Sequence, residues 1–192
     1  MNVLFTTDRL LVREFEWKDW KTTHQYAQLP EVSQYQYWGP NTKATTQAFL
    51  RAALDYQQQH PRFQYEWCIC LKEGTHIGGC DVFIDSAVPT KGLIGYSLHP
   101  QYWGQGFATE IVAYLVPYCR EQLHLEKIGA TCDTRNIASQ HVLEKNGFVQ
   151  TARREKDFMQ KKVWRDTFRY DYMPDLADTK CQTPPTQSLH TQ

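Results

Sequence analysis

Apolar and charged residues interleave over positions 9–15 (RLLVREF) as in a half-buried strand, and the stretch opened by 16–19 then sets Trp17, Trp20, His24 and Tyr26 along a short helix. Gly39-Pro40 is a strong breaker. Thr42 can cap a helix over 43–59, whose residues Ala44, Ala48, Leu50, Ala52 and Leu54 run mostly at helical spacing until His60-Pro61 ends it. Strands are predicted at 63–71 and 77–84, joined by the turn Lys72-Glu73-Gly74, and a third at 93–98. His99-Pro100 stops that strand, and a glycine-bearing loop at 101–106 leads into a helix over 107–122. Ala108, Ile111, Val112, Leu115, Val116 and Cys119 form its apolar stripe, and Pro117 should kink it. A buried strand at 128–132, a helix at 136–145 stopped by Asn146-Gly147, a strand at 148–152 and a last strand at 163–173 complete the pattern, with the charged run 153–162 as the approach to the last.

This order predicts an α+β architecture: a mixed, mostly antiparallel sheet flanked by about four helices, forming one domain over 1–173. The crossover from 93–98 to 128–132 makes those strands parallel neighbours, and if they splay the gap is a slot for a ligand. Beyond Pro174 the chain is rich in Thr, Gln and Pro and loses periodicity, so 174–192 reads as a flexible tail.

Composition narrows the function. Lys plus Arg number 21 and Asp plus Glu 21, which removes the long-range field of a dedicated nucleic-acid or anionic-membrane binder. The zero hides a gradient, because 135–170 carries nine basic against four acidic residues. No membrane-length apolar run and no signal peptide are legible, which points to the cytoplasm. Cys68, Cys70, Cys80, Cys119, Cys132 and Cys181 form no metal-ligand spacing, so they read as small buried hydrophobes and no metal is expected.

The most informative stretch is QYWGQGFATE, 101–110. A helix start exposes unpaired amides and the positive end of its dipole, and glycines ahead of it let the backbone close around an anion such as a pyrophosphate. A tight turn is the plainer reading of Gly104 and Gly106. A Walker A loop fails for want of Gly-Lys-Ser/Thr. A Rossmann dehydrogenase fails because Thr109 stands where the third glycine belongs and Glu126 precedes the next strand instead of ending it.

Gln101, Gly104 and Gly106, within IGYSLHPQYWGQGFATE, match the central motif of the GNAT superfamily of acyl-CoA-dependent N-acetyltransferases. With NIASQHVLEKNGF and the opening TDRLLVREF, the chain resembles the RimJ/RimL-type branch, the ribosomal-protein N-terminal acetyltransferases, over residues 6–173. The resemblance implies direct attack of a primary amine, on a protein N-terminus or a small molecule, on the thioester of acetyl-CoA as cosubstrate. Pyrophosphate would rest on the amides of Gln105, Gly106, Phe107, Ala108 and Thr109. Pantetheine would pair with the strand edge Tyr96, Ser97, Leu98 and His99, and an amide near Leu98 would polarise the thioester carbonyl.

Asn136 would cap its helix and also bond the pantetheine, and Ser139 would donate to the departing thiolate. Superfamily members place a tyrosine acid where this chain has Leu143, and often a glutamate where it has Leu93. The base is therefore open. Asp81 and Asp85 share a strand face toward the acceptor end, although Asp85 reads equally as a turn residue. His76 and His99 read as structural. Aromatics of the first helices and their loop would line the acceptor side, with Tyr37 and Trp38 as the contacting segment. A homodimer is compatible with the family without a sequence signal of its own. The competing function is a non-catalytic acyl-CoA sensor, since both usual acid-base positions are substituted.

Overall fold

The computed structural model describes residues 2–174. Its elements, in chain order, are β1 (Val3–Thr6), β2 (Leu10–Glu14), a 3-10 turn (Trp17–Asp19), α1 (Trp20–Ala27), α2 (Lys43–Tyr56), β3 (Gln64–Leu71), β4 (His76–Ile84) and β5 (Lys91–Leu98). A second 3-10 turn (Pro100–Tyr102), α3 (Phe107–Glu121), β6 (Lys127–Asp133), α4 (Ile137–Lys145), β7 (Phe148–Gln160) and β8 (Val163–Tyr172) follow. The eight strands form one sheet in the order β1-β2-β3-β4-β5-β6-β8-β7, antiparallel throughout except for β5 and β6.

Alternation along the central strands divides the core. In β3, Trp67 and Ile69 face α3, where they meet Ile111, Val112, Leu115 and Val116 of the predicted stripe, while Cys68 and Cys70 face α2 and pack with Phe15, Leu50 and Ala53. The helices start where the capping residues predict. Thr42 accepts the amide of Thr45 at 3.1 Å, and Asn136 accepts that of Ser139 at 3.2 Å.

Two expectations change. β1 has no counterpart in the predicted elements, since it is a four-residue edge strand paired only with β2. The run 153–162 is not an approach but the outer half of β7, which continues to Gln160 through two register shifts. An outermost strand tolerates such charge because its side chains are solvated. Lys161 and Lys162, at φ 47° and 65°, make the tight left-handed turn that matches strand twist. Cys68, Cys70, Cys80, Cys119 and Cys132 are buried free thiols. Cys181 and the tail from 175 onward lie outside the described residues. Among the described residues no helix is long and apolar enough to cross a membrane.

Candidate active site

The parallel strands supply the opening. β5 and β6 pair at Lys91 with Lys127, Gly92 with Ile128 and Leu93 with Gly129, and the pairing is confined to those positions. From Ile94 onward the strands diverge, and α3 and α4 start on either side of the gap. A cavity of about 460 Å³ results, and its lining includes Tyr96, Ser97, Leu98, Asn136 and Ser139. The strand edge and the capped helix named from the sequence thus meet in one cavity.

The glycine loop forms its far end, where Gly104, Gly106, Phe107, Ala108 and Thr109 line the wall. Gly104 and Gly106 have φ of 73° and 82°, a left-handed backbone that glycine adopts without penalty, and Gly106 is the N-cap of α3. The carbonyl of Gly106 accepts the amide of Glu110 at 3.0 Å, so the amides of the intervening first turn have no partner within the helix. Unpaired amides at the positive end of a 15-residue helix are the kind of backbone that can hold an anion without net charge. His99, Gln101 and Gln105 do not line the cavity but brace the loop. His99 accepts the Gln101 amide at 3.2 Å, the Gln105 side chain donates to the Gln101 carbonyl at 2.7 Å, and the Trp103 indole donates to the Leu98 carbonyl at 2.9 Å.

Across the slot the hydroxyls of Tyr96 and Ser139 lie 3.0 Å apart. Burial raises the Tyr96 phenol above its usual value while the hydrogen bond with Ser139 pulls it down, so the pair is neutral and can donate. Leu143, at the position where the resemblance implied a tyrosine acid, is 1% exposed and belongs to the core. A phenol reaches the slot from the opposite wall instead. Sequence reading used Tyr96 for its backbone alone, because linear spacing does not show that a β5 side chain meets α4. Capping occupies the oxygen of Asn136 and leaves its Nδ2 for a ligand.

The other face of the sheet carries two carboxylates. Glu66 of β3 and Asp81 of β4 are register partners, and Asp81 is in turn opposite Gly95 of β5. Asp81 lies so close over Gly95 that a Cβ there would collide with the carboxylate. Burial first, then the charge of Asp81, raise Glu66, and burial raises Asp81 as well. Glu66 escaped the sequence reading because its partner is fixed by register across β3 and β4. Asp85 does not join them. Its carboxylate accepts the amide of Ala87 at 3.0 Å, and it follows Ile84, whose register partner Gly92 lies where β5 and β6 are still paired. Asp85 is a turn residue at the closed end of the slot.

The loop between α1 and α2 covers the mouth, but with other side chains than expected. Val32, Gln34, Tyr35 and Gln36 line the cavity, Trp38 packs on Tyr26, Ala27 and Val32, and Tyr37 is 80% exposed. Tyr37 and Trp38 are therefore not wall residues. Gln160, from the far end of β7, donates to the carbonyls of Ser33, at 2.6 Å, and of Gln36 and holds this loop down. Trp17 and Trp20 stack with Arg51 and Lys43 instead of facing the cavity. Asp19, Cys68 and His76 bring their ligand atoms within 4.8 Å of one another. Arg13 grips both oxygens of Asp19, and both nitrogens of His76 bond, to Thr22 and to the Gly78 carbonyl, so the trio is a satisfied core network.

The profile of the acetyltransferase (GNAT) domain matches residues 9–149. The chain is 29% identical over 166 residues to the uncharacterized N-acetyltransferase YnaD of Bacillus subtilis (strain 168), covering 86% of this chain and 94% of that protein. A GNAT-family acetyltransferase from Bacillus anthracis superposes with TM-score 0.78 at 25% identity, over 91% of this chain and 99% of that one. The ribosomal L7/L12 α-N-protein acetyltransferase RimL, in a complex with coenzyme A, shares the fold with TM-score 0.78 at 17% identity, over 90% and 97% of the two chains.

Proposed function

Because the chain belongs to the GNAT acetyltransferase family, we propose that it transfers the acetyl group of acetyl-CoA to a primary amine, a protein N-terminus or a small molecule, by direct attack in a ternary complex. The observation that carries this reading is the junction of three features in one cavity: a splayed strand edge, an amide-lined helix start and a hydroxyl pair. Pyrophosphate fits the amides of Gly106, Phe107, Ala108 and Thr109, and pantetheine adds to the free edge of β5 as a strand would. A backbone amide near Leu98 polarises the thioester carbonyl and stabilises the oxyanion as the amine adds.

Proton traffic then divides between the two faces. The acceptor ammonium gives one proton to the carboxylate side, where Asp81 with Glu66 is the nearest acid pair to β5. The amine nitrogen attacks the carbonyl carbon, the C–S bond breaks, and the thiolate takes a proton from Ser139, whose hydroxyl is in turn bonded by Tyr96. The second proton leaves the new amide nitrogen and, through solvent, restores the Ser139 hydroxyl, while the carboxylate pair releases its own proton to solvent. No field from net charge is needed, and the setting suits the cytoplasm.

Two measurements test this. Ser139→Ala is expected to lower turnover about 100-fold, the low end of the scale for a lost proton donor, with CoA affinity changed less than about twofold. Equal turnover in the variant would remove Ser139 from the chemistry. Burial holds both carboxylates above the ordinary carboxylate range and the charge of Asp81 raises Glu66 further, so the base form of Asp81 appears only as pH rises through that elevated range. Asp81→Asn should depress the rate at every pH, whereas Glu66→Gln, which takes away no charge acting on Asp81, should leave the acid limb of the kcat/KM profile where the burial of Asp81 sets it. Undiminished turnover in Asp81→Asn would take the pair out of the reaction. Saturable CoA binding without thiol release from any amine in a panel would identify a sensor instead of an enzyme.

A further inference from the structure

The opening block around Thr7 and Arg9 takes no part in the chemistry above, yet it reaches across about a hundred residues of chain to the anion loop. Arg9 Nη1 donates to the carbonyl of Gln105 at 3.0 Å, its Nε to Glu110 Oε2 at 2.6 Å, and its guanidinium lies 4.3 Å from the centre of the Phe107 ring. Glu110 turns back to receive these bonds. Its Oε1 also accepts the Arg9 amide at 3.0 Å and the hydroxyl of Thr7. Arg9 does not line the cavity, so it stands behind the loop and not among the groups that would touch a ligand.

We propose that Arg9 is a positioning residue that aims the amides of the pyrophosphate loop from behind, and that it cancels the charge of Glu110 beside that anion site. The proposal rests on the reading of the loop as the CoA pyrophosphate site. The aiming follows from peptide geometry. The carbonyl of Gln105 and the N–H of Gly106 belong to one planar trans unit and point in opposite directions. Holding that oxygen toward Arg9 turns the Gly106 N–H the other way, to the cavity that Gly106 lines. The loop needs such a tie because it has little packing of its own. A Cβ at Gly104 would meet nothing within 4 Å, and one at Gly106 would meet only Arg9, 3.5 Å from Nη2.

The charge role follows from sequence position. Glu110 is in the first turn of α3, a favourable place for a carboxylate in an empty helix end but a repulsive one once the same end holds a pyrophosphate. Burial alone would raise its pKa, and the bonds from Thr7 and Arg9 outweigh this and hold it ionised. The guanidinium at 2.6 Å therefore neutralises a charge that would otherwise oppose the cofactor.

The test pairs hydrogen exchange with calorimetry on the full chain, using CoA and pantetheine, which lacks the pyrophosphate. In Arg9→Ala the amide of Glu110, which bonds the Gly106 carbonyl and closes the loop onto α3, should exchange at least tenfold faster while those of β3 and β4 are unchanged, and CoA affinity should fall tenfold or more with pantetheine affinity unaltered. Adding Glu110→Gln to Arg9→Ala should recover part of the CoA affinity but none of the protection, since charge is relieved and aiming is not. Arg9→Lys, which keeps a cation for Glu110 but cannot bridge to Gln105 as well, should retain more CoA affinity than Arg9→Ala and still exchange fast. Unchanged exchange and unchanged CoA affinity in Arg9→Ala would reduce Arg9 to a surface ion pair. Equal loss for CoA and pantetheine with faster exchange throughout the sheet would make it a fold residue, and either result overturns the proposal. A loop that loosens in Arg9→Ala when the unaltered protein binds no CoA would sink the cofactor reading and leave the mechanical tie standing.

Discussion

Gly106→Val is expected to weaken CoA binding about 100-fold or more while the protein stays folded. The residue sits at φ 82°, where a β-branched side chain is strained by about 1–2 kcal/mol or more. The new side chain would project toward Arg9 and not into the cavity. The damage comes through the loop: relaxing the strain swings the peptide, and the Gly106 and Phe107 amides lose their aim. Two charge-assisted hydrogen bonds at about 1.5–3 kcal/mol each amount to a hundredfold or more in affinity. Calorimetric titration with CoA, beside a melting curve, reads both parts. Unchanged affinity would place the pyrophosphate elsewhere.

The largest stability effect is expected at Arg13→Ala, a loss of about 3–5 kcal/mol. Arg13 and Asp19 form a two-pronged pair at 2.7 and 2.9 Å with both side chains more than nine-tenths buried. The pair joins β2 to the start of α1, and Asp19 also accepts the amide of Glu16 at 2.8 Å, which shapes that turn. Removing the guanidinium leaves a carboxylate buried with one remaining donor. For a chain of this size the midpoint of thermal unfolding should drop by about 10 °C. The double variant Arg13→Ala with Asp19→Ala should lose less than the sum of the two single ones, because the stranded charge goes too. Additive losses would show that the pair is not coupled.

Local signals made most of the architecture legible. Caps at Thr42 and Asn136, the breaker His99-Pro100 and the stripe of α3 each act within a few residues, and the helices and inner strands fall where those features put them. The two missed features are both at sheet edges. β1 and the outer half of β7 lack the alternation of a half-buried strand, and pairing alone makes them strands.

The site divides along the same line. The glycine loop, the strand edge ahead of it and the Asn136–Ser139 pair were legible because each is a contiguous run with its own backbone consequence, a left-handed turn, a free edge or a cap. Register, helix docking and the splay decided the rest. They bring the Tyr96 phenol to Ser139, place Glu66 against Asp81, leave Asp85 at the closed end and carry Gln160 to the loop between α1 and α2. Sequence alone determined which segments make a glycine turn into a helix start, a strand end or a helix cap, and which residues carry hydroxyls and carboxylates, because backbone preference is local. Only the tertiary structure decided which of those groups share a proton or a face, because such pairs form between strands and helices that meet only after the sheet is assembled.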